Sequence, residues 1–300
     1  MEKTRLKHCL SYKQENFCNY MKRFLALVII LLSLVYMSCQ KEIDWGLGGS
    51  GSNSLLSRIN SKTGTDSSEV SYFYNSQNRL IREKTTGISG GLTLDNELII
   101  NRNAAGIILT TVQKAAALAT AGIDSVVTRY NYNTSTSRYN SSVFSLTAFG
   151  FSVTDSAVYS YDASGKIISD VHYLATGFLP PIQSLKNDYT YSADGVNITR
   201  QDQMAATTPG GPLLPVSSQT YTYDTKTNPL ILSHEAVLLS RTSLFNANNS
   251  LKTVFTNTAD PTANFNLDII YRYNAAGKPD SAFSIRTPPG ELTVSTYHYQ

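Results

Sequence analysis

The sequence Tyr159-Ser160-Tyr161-Asp162-Ala163-Ser164-Gly165-Lys166-Ile167-Ile168 has the pattern of a β-hairpin. Tyr159 and Tyr161 are two residues apart, so on a strand their side chains point to the same face. Asp162 and Gly165 favour a tight turn, and the isoleucine pair that follows is typical of a returning strand. The stretch therefore predicts a strand, a turn and a second strand.

Copies of this pattern recur along the chain. Six clear copies carry a tyrosine pair, at Tyr72 and Tyr74, Tyr130 and Tyr132, Tyr159 and Tyr161, Tyr189 and Tyr191, Tyr221 and Tyr223, and Tyr271 and Tyr273. Degenerate copies begin at Ile100 and Phe245, and Tyr297-His298-Tyr299 begins a truncated one. The starts at 72, 100, 130, 159, 189 and 221 differ by 28, 30, 29, 30 and 32 residues, which indicates a repeat architecture.

A single repeat cannot fold alone. Burying one tyrosine pair contributes about 8–12 kcal/mol, whereas ordering a repeat of this length costs about 45 kcal/mol. Neighbouring hairpins must therefore cover each other, with the tyrosine rows packed across strands. We expect an all-β fold, an antiparallel repeat of hairpins in a large curled or partly closed sheet. The tyrosine pairs are expected to be structural, with a stacking platform for sugars as the alternative.

The Tyr-x-Tyr-Asp-x-x-Gly-Lys-Ile motif at 159–167 resembles the repeat of the YD-repeat (RHS-type) proteins. Residues 271–278 are also similar to it, whereas Ser192 replaces the acid in one copy and Asn228-Pro229 replaces Gly-Lys in another. The resemblance covers about residues 70–300. It implies hairpins aligned into a long antiparallel strip that can curl into a shell, and it implies no activity.

The N-terminal segment has the pattern of a bacterial lipoprotein signal. Residues 1–20 are polar, and Met21-Lys22-Arg23 makes a better start than Met1. Phe24 to Met37 is apolar apart from Ser33, too short to span a bilayer but suited to a signal-peptide core. Because the following segment, Val35 to Cys39, resembles a lipobox, we expect residues 1–38 to be removed and Cys39 to be acylated. An incidental cysteine beside a retained anchor is the alternative.

Residues 39–57 are expected to form a flexible, lipid-anchored tether. The segment from Gly46 to Ser54 is rich in Gly and Ser, a composition typical of flexible linkers. Gln40-Lys41-Glu42-Ile43-Asp44 is similar to the acidic signal that sends some lipoproteins to the outer face of the outer membrane, and a solvated polar start is the equal alternative. Residues 58–300 are then expected to be one all-β hairpin-repeat domain at the outer membrane, either exposed at the cell surface or on the periplasmic face.

Composition excludes several classes of function. After residue 38 the chain keeps 19 of its 25 Lys and Arg and 20 of its 22 Asp and Glu, so no basic footprint for nucleic acid is present. Cys9 and Cys18 lie upstream of Cys39, so the mature chain has no cysteine pair. His172, His234 and His298 lack zinc-site spacing and are expected on solvated strand faces.

No pattern in the chain predicts a catalytic centre. The Gly87-x-Ser89-x-Gly91 sequence fits a nucleophile elbow, but with no helix after it we interpret it as a hairpin loop. Asp162, Asp194 and Asp224 are expected to cap turns, because no calcium-loop pattern surrounds them. We therefore expect no enzyme, no metal and no cofactor.

Three functions fit these features. The first is a cell-envelope lipoprotein that binds a glycan or protein as a non-enzymatic binding or adhesion module. The second is a YD-repeat shell or scaffold. The third is a transmembrane β-barrel, which the regular hairpins favour but which needs lipid-facing apolar strands, and segments such as 131–142 are polar.

Overall fold

The computed structural model describes residues 55–148, 151–176, 179–229, 235–239 and 246–300. These residues form sixteen strands in a closed barrel, in which strands adjacent in sequence are neighbours and β1 pairs with β16. The strands are β1 (Leu56–Thr63), β2 (Asp66–Tyr74), β3 (Leu80–Ser89), β4 (Leu92–Arg102), β5 (Ile108–Ala115), β6 (Val126–Asn133), β7 (Arg138–Ala148), β8 (Phe151–Tyr161), β9 (Ile167–Thr176), β10 (Leu179–Tyr191), β11 (Ile198–Ala206), β12 (Leu213–Thr227), β13 (Asn248–Asn257), β14 (Phe265–Tyr273), β15 (Pro279–Thr287) and β16 (Glu291–Tyr299).

Helical structure in the described part of the chain is short. It comprises α1 (Ala116–Thr120), α2 (Glu235–Leu238) and one 3-10 turn (Pro261–Ala263). None of these described segments is a helix long and apolar enough to cross a membrane.

The prediction of an all-β antiparallel hairpin repeat is confirmed, but the expected curled or partly closed sheet is wrong. The sheet closes because β1 pairs along its length with β16, with Ile59 opposite Tyr297. Closure removes both sheet edges, whose unpaired backbone groups would otherwise be exposed. The copy expected at Phe245 begins outside the described residues, and its Asn248 and Asn249 lie in β13, not in a turn. Gly87 and Ser89, expected in a loop, belong to β3.

Each hairpin that follows a tyrosine motif contains a β-bulge. In β8 and β9, for example, Ser160 lies opposite Ser169 but Tyr161 lies opposite Ile167, so Ile168 is an extra residue. The same shift occurs before the second tyrosine position of the six other hairpins at this end of the barrel. A bulge bends the strand and increases its twist. Here it turns the first return-strand residue toward the barrel interior, on the same face as the second tyrosine.

The turns of these hairpins share one local geometry. Asp162 accepts the Lys166 N–H through its carboxylate (2.9 Å), and Gly165 N–H donates to the Asp162 carbonyl (3.1 Å). Asn75, Asn103 and Asn274 make the equivalent contact in their own turns. In each, the side-chain oxygen accepts a backbone N–H four residues further along the chain, which is typical of Asn and Asp in turns. All these turns lie at the end of the barrel where the chain enters, because Leu55 and Gln300 exchange two backbone hydrogen bonds there. We call it the entry end, and the opposite end the far end.

Alternate residues of each strand face inward and outward. Inward residues at the entry end build the main apolar core, which includes Ile59, Tyr72, Ile167 and Ile198, each at most 3% exposed. The positions between them face solvent, as Arg58 and Lys84 do. The interior at the entry end is therefore filled with side chains.

Candidate functional site

The predicted tyrosines form a ring inside the entry end. Tyr72, Tyr159, Tyr189 and Tyr221 are buried at 3%, 9%, 7% and 7% exposure. The partly buried tyrosines that pack on this core are Tyr74, Tyr130, Tyr132, Tyr161, Tyr191, Tyr223 and Tyr271. Tyr273 is half-buried, with its ring 6.0 Å from that of Tyr271. The buried rings present no open face to a ligand.

The second tyrosine of a motif binds the preceding repeat. Its hydroxyl donates to the carbonyl of the first or second residue of the previous return strand: Tyr161 to Tyr139 (2.7 Å), Tyr191 to Ile167 (2.6 Å) and Tyr299 to Pro279 (2.7 Å). Tyr74 makes the same bond to Leu56 at 2.8 Å. Burial, as the largest effect, raises the pKa of the Tyr161 hydroxyl to about 12, so this group stays a donor. These bonds join consecutive repeats through the ring.

A basic side chain forms a second connection between repeats. The Arg138 guanidinium lies over the Tyr161 ring at 5.0 Å, and Lys166 Nζ lies over the Tyr191 ring at 5.5 Å. A Cβ atom on Gly165, at φ +89°, would lie 3.2 Å from Arg138 Nη2, and one on Gly195 would overlap Lys166. The glycine of the motif is therefore required twice, for its backbone conformation and for the space that the neighbouring repeat occupies.

A short plug lies among the ring tyrosines. Leu238 and Leu239 of the segment 235–239 belong to the buried core or flank it, at 5% and 9% exposure. Tyr130 donates its hydroxyl to the Leu238 carbonyl at 3.0 Å. Glu235 forms a two-pronged ion pair with Arg102, both contacts being 2.8 Å. The Arg102 side chain is 4% exposed, so this charge pair is held in the interior.

A polar network that the sequence analysis missed lines the interior wall from β8 to β12. His172 lies between two carboxylates, with Nδ1 2.7 Å from Asp155 and Nε2 3.2 Å from Asp170. Asp170 also accepts bonds from Asn187 Nδ2 (2.7 Å) and from the Tyr189 hydroxyl (2.5 Å). The expectation that His172 lies on a solvated face is wrong, because Ala157, which lies opposite it, is in the buried core.

The charges around His172 set its protonation state. Burial lowers the pKa of the imidazole, but the hydrogen bonds and negative charges of Asp155 and Asp170 outweigh this effect and raise it to about 10. Burial and the Asp170 charge raise the pKa of Tyr189 well above its usual range, so its hydroxyl remains the donor to Asp170. At neutral pH the cluster therefore holds an imidazolium between two carboxylates.

One signal in the sequence pointed to this network. Asp170 and His172 are two residues apart, which on a strand places them on one face. What the sequence lacked was the register, which brings Asp155 of the neighbouring strand beside them. The network continues through Asn187, whose Oδ1 accepts from Gln203 at 3.2 Å.

The other predicted site residues carry less structural information. Cys39 lies outside the described residues, as does His234. His298 lies 3.2 Å from the Asn60 amide on the outer surface. Within the described ranges, no group of three or more His, Cys, Asp or Glu side chains is arranged to hold a metal ion.

The outer surface of the barrel is rich in ion pairs. Each pair joins outward-facing side chains of one strand or of two neighbouring strands. The pairs are Arg58 with Glu69, Arg82 and Lys114 with Glu97, Lys84 with Asp95, Lys186 with Asp188, Arg200 with Asp202, and Lys252 with Asp268. They lie on β1–β5 and on β10, β11, β13 and β14.

Comparisons with solved structures show a likeness of fold. The chain is similar to a porin-like protein from Bacteroides uniformis, with 12% identity, a TM-score of 0.50, and coverage of 84% of this chain and 99% of that one. A porin-like protein from Bacteroides vulgatus is 10% identical, with a TM-score of 0.47, and coverage of 83% of this chain and 99% of that one. No family model and no curated protein matches the sequence. The chain therefore has the fold of a porin-like β-barrel, and at this identity the likeness concerns the fold alone.

Proposed function

We propose that the chain is a non-enzymatic cell-envelope lipoprotein, held at the outer membrane by a lipid on Cys39. In this proposal the barrel is exposed to water and binds a polar ligand such as a glycan or a protein segment. The observation that carries the anchored barrel is its charged outer surface. A barrel that spans a bilayer needs an outward apolar band about 25 Å tall, flanked by aromatic residues. The ion pairs described above occupy the outward positions of such a band.

The energetic cost supports this proposal over a transmembrane barrel. A Lys or Arg on the lipid face costs about 2–4 kcal/mol at the bilayer midplane. Even six outward bases at about 2 kcal/mol each would cost about 12 kcal/mol, comparable with the whole stability of a typical domain at about 5–15 kcal/mol. A water-exposed outer surface avoids this cost.

The interior supports binding over enclosure. A shell would need space for another chain, but the entry end is filled by the tyrosine ring and the plug residue Leu238. The polar wall from Asp155 to Gln203 instead presents carboxylate, amide and imidazole groups, which are the groups that recognise hydroxyls and peptide amides. The wall is partly accessible, since the His172 side chain is 24% exposed. We therefore place ligand binding on the side of the far end.

Replacing the lipidated cysteine tests the anchoring. The Cys39→Ala variant is expected in the soluble fraction after cell lysis, while the wild type and the linker control Ser50→Ala partition into detergent with the membrane. The acyl group is sought by mass spectrometry of the mature N-terminus. Retention of Cys39→Ala in carbonate-washed membranes would favour a transmembrane barrel, the candidate that the porin-like fold favours.

The ligand class is tested separately. The purified mature protein is screened on a glycan array and in pull-downs from envelope extracts, and bound ligands are retested with His172→Gln. The proposal expects weaker binding by the variant, with circular dichroism under the binding conditions showing that the variant is folded. An absence of any ligand in both screens would contradict the binding role.

A further inference from the structure

The two ends of the barrel carry opposite charge. Among the described turn residues of the entry end, three are basic and two are acidic: Arg79, Lys166 and Lys278, against Asp162 and Asp194. The described turns of the far end contain two acids, Asp124 and Asp260, and no Lys or Arg. Glu235 is left out of this comparison because it is neutralised by Arg102.

The entry end also exposes apolar side chains on its outer rim. Phe73, Leu109 and Ile168 are 41%, 47% and 38% exposed, and the last two occupy bulge positions just after the buried Ile108 and Ile167. Exposed apolar residues alone do not distinguish the ends, because Leu292 near the far end is 48% exposed. Only the entry end combines them with basic turns.

The described chain begins at the entry end, close in sequence to the proposed lipid anchor. Leu55 pairs with Gln300 at the entry end, and Cys39 lies 16 residues upstream in the sequence. A Gly- and Ser-rich linker of this length is predicted to span about 20–24 Å on average. On the proposed lipid anchor, the entry end is therefore the part of the barrel that the bilayer meets first.

We propose that the entry end docks on an anionic phospholipid surface, with Phe73, Leu109 and Ile168 in the headgroup region and the basic turns beside it. Anionic lipids attract Lys and Arg near the surface by about 1 kcal/mol each, and apolar side chains at an interface enter it by about 5–10 Å. The acidic turns of the far end are repelled from the same surface. The barrel therefore stands with its far end away from the membrane, an orientation that rests on the lipid anchor proposed above.

Two single-tryptophan variants test this orientation. Trp45, the one tryptophan of the sequence, is replaced by Phe. A new tryptophan is then introduced by Leu109→Trp or by Leu292→Trp, at positions that are 47% and 48% exposed in the wild type. The acylated proteins are reconstituted into vesicles of brominated phosphatidylcholine and phosphatidylglycerol, and fluorescence quenching is compared with that in unbrominated vesicles.

The outcomes separate the orientation from the anchor. We expect at least about twofold quenching of the tryptophan at 109 and little at 292, reduced by Lys166→Glu and by high salt, as for surface electrostatics. Quenching at neither position, in protein that floats with the vesicles, would overturn the orientation and leave the anchor intact. Equal quenching at both would indicate an inserted barrel and overturn both proposals. Protein that does not float at all would also overturn both.

Discussion

The buried ion pair between Arg102 and Glu235 should be the main polar attachment of the plug. Glu235→Ala removes two charge-assisted contacts of 2.8 Å and leaves a guanidinium that is 4% exposed without its carboxylate. Breaking a buried pair by removing one partner costs about 3–5 kcal/mol, because the remaining charge is uncompensated. Arg102 also donates to the Gly106 carbonyl at 2.8 Å and to the Leu80 carbonyl at 3.2 Å, which places the expected loss at the lower end of that range.

A double-mutant cycle separates the ion pair from the other bonds of Arg102. Arg102→Met with Glu235→Ala has no uncompensated charge, so we expect it to lose less than the sum of the two single variants, with a coupling of about 1–3 kcal/mol. The free energy of unfolding is measured in urea, and limited proteolysis reports local release of the plug. Asp268→Ala serves as the exposed control, since its pair with Lys252 is 3.4 Å long and about half exposed on both sides.

Two results would refute this reasoning. Wild-type urea midpoint and wild-type protease resistance in Glu235→Ala would show that the pair does not hold the plug. Additive losses in the double variant would show that the two side chains act independently. The control variant is expected to change the unfolding free energy by less than about 0.5 kcal/mol.

Three further perturbations test the repeat connections and the polar wall. The pKa of His172 is raised from 6.5 to about 10, so its stabilising charge is complete below pH 6.5 and is lost as the pH rises toward 10. His172→Gln should flatten the fall in unfolding free energy between these pH values, as measured by urea titration at several pH values. An unchanged slope would contradict the charged state assigned to His172. Tyr191→Phe removes the 2.6 Å bond to the preceding repeat and should cost about 1 kcal/mol in urea unfolding; a wild-type midpoint would show that this bond contributes nothing. Gly165→Ala should lower the free energy of unfolding by more than about 1 kcal/mol. Gly64→Ala should lower it less, because φ is also positive there but no atom lies within 4 Å of the new Cβ. Equal shifts in the thermal unfolding temperature of the two variants would count against the packing of the neighbouring repeat on Gly165.

The local part of the fold could be predicted because its determinants are local. A tyrosine pair, a turn-forming Asp or Asn, a glycine and a β-branched return residue lie within ten positions of one another, and each acts through its own backbone preference. The spacing of the copies then fixed the order of the hairpins. The same chemistry explains why Ile100 to Gly106, which lacks tyrosine, still forms a turn through the side chain of Asn103.

The bulges could not be predicted in this way. A bulge is a difference in residue count between two strands, so it exists only once the register is set. Ile168 carries no signal that marks it as extra, and it resembles Ile167 in every property except its position. Yet the bulge decides which of the two isoleucines is buried, at 0% for Ile167 and 38% for Ile168. The polar wall was missed for the same reason, since its contacts depend on cross-strand register.

Closure of the barrel follows from an incomplete repeat at each end of the described chain. Among the described residues, β1 takes the place of the return strand for the motif at Tyr297 and Tyr299. Leu56 of β1 takes the position that Ile167 has in the β8–β9 hairpin. Leu56 lies opposite Tyr299, as Ile167 lies opposite Tyr161. The Leu56 carbonyl accepts a hydrogen bond from Tyr74, as the Ile167 carbonyl accepts one from Tyr191. Because β1 must complete this repeat at the tyrosine ring, β1 begins at the entry end. The pairing that closes the barrel therefore also determines which end a lipid on Cys39 would hold against the membrane.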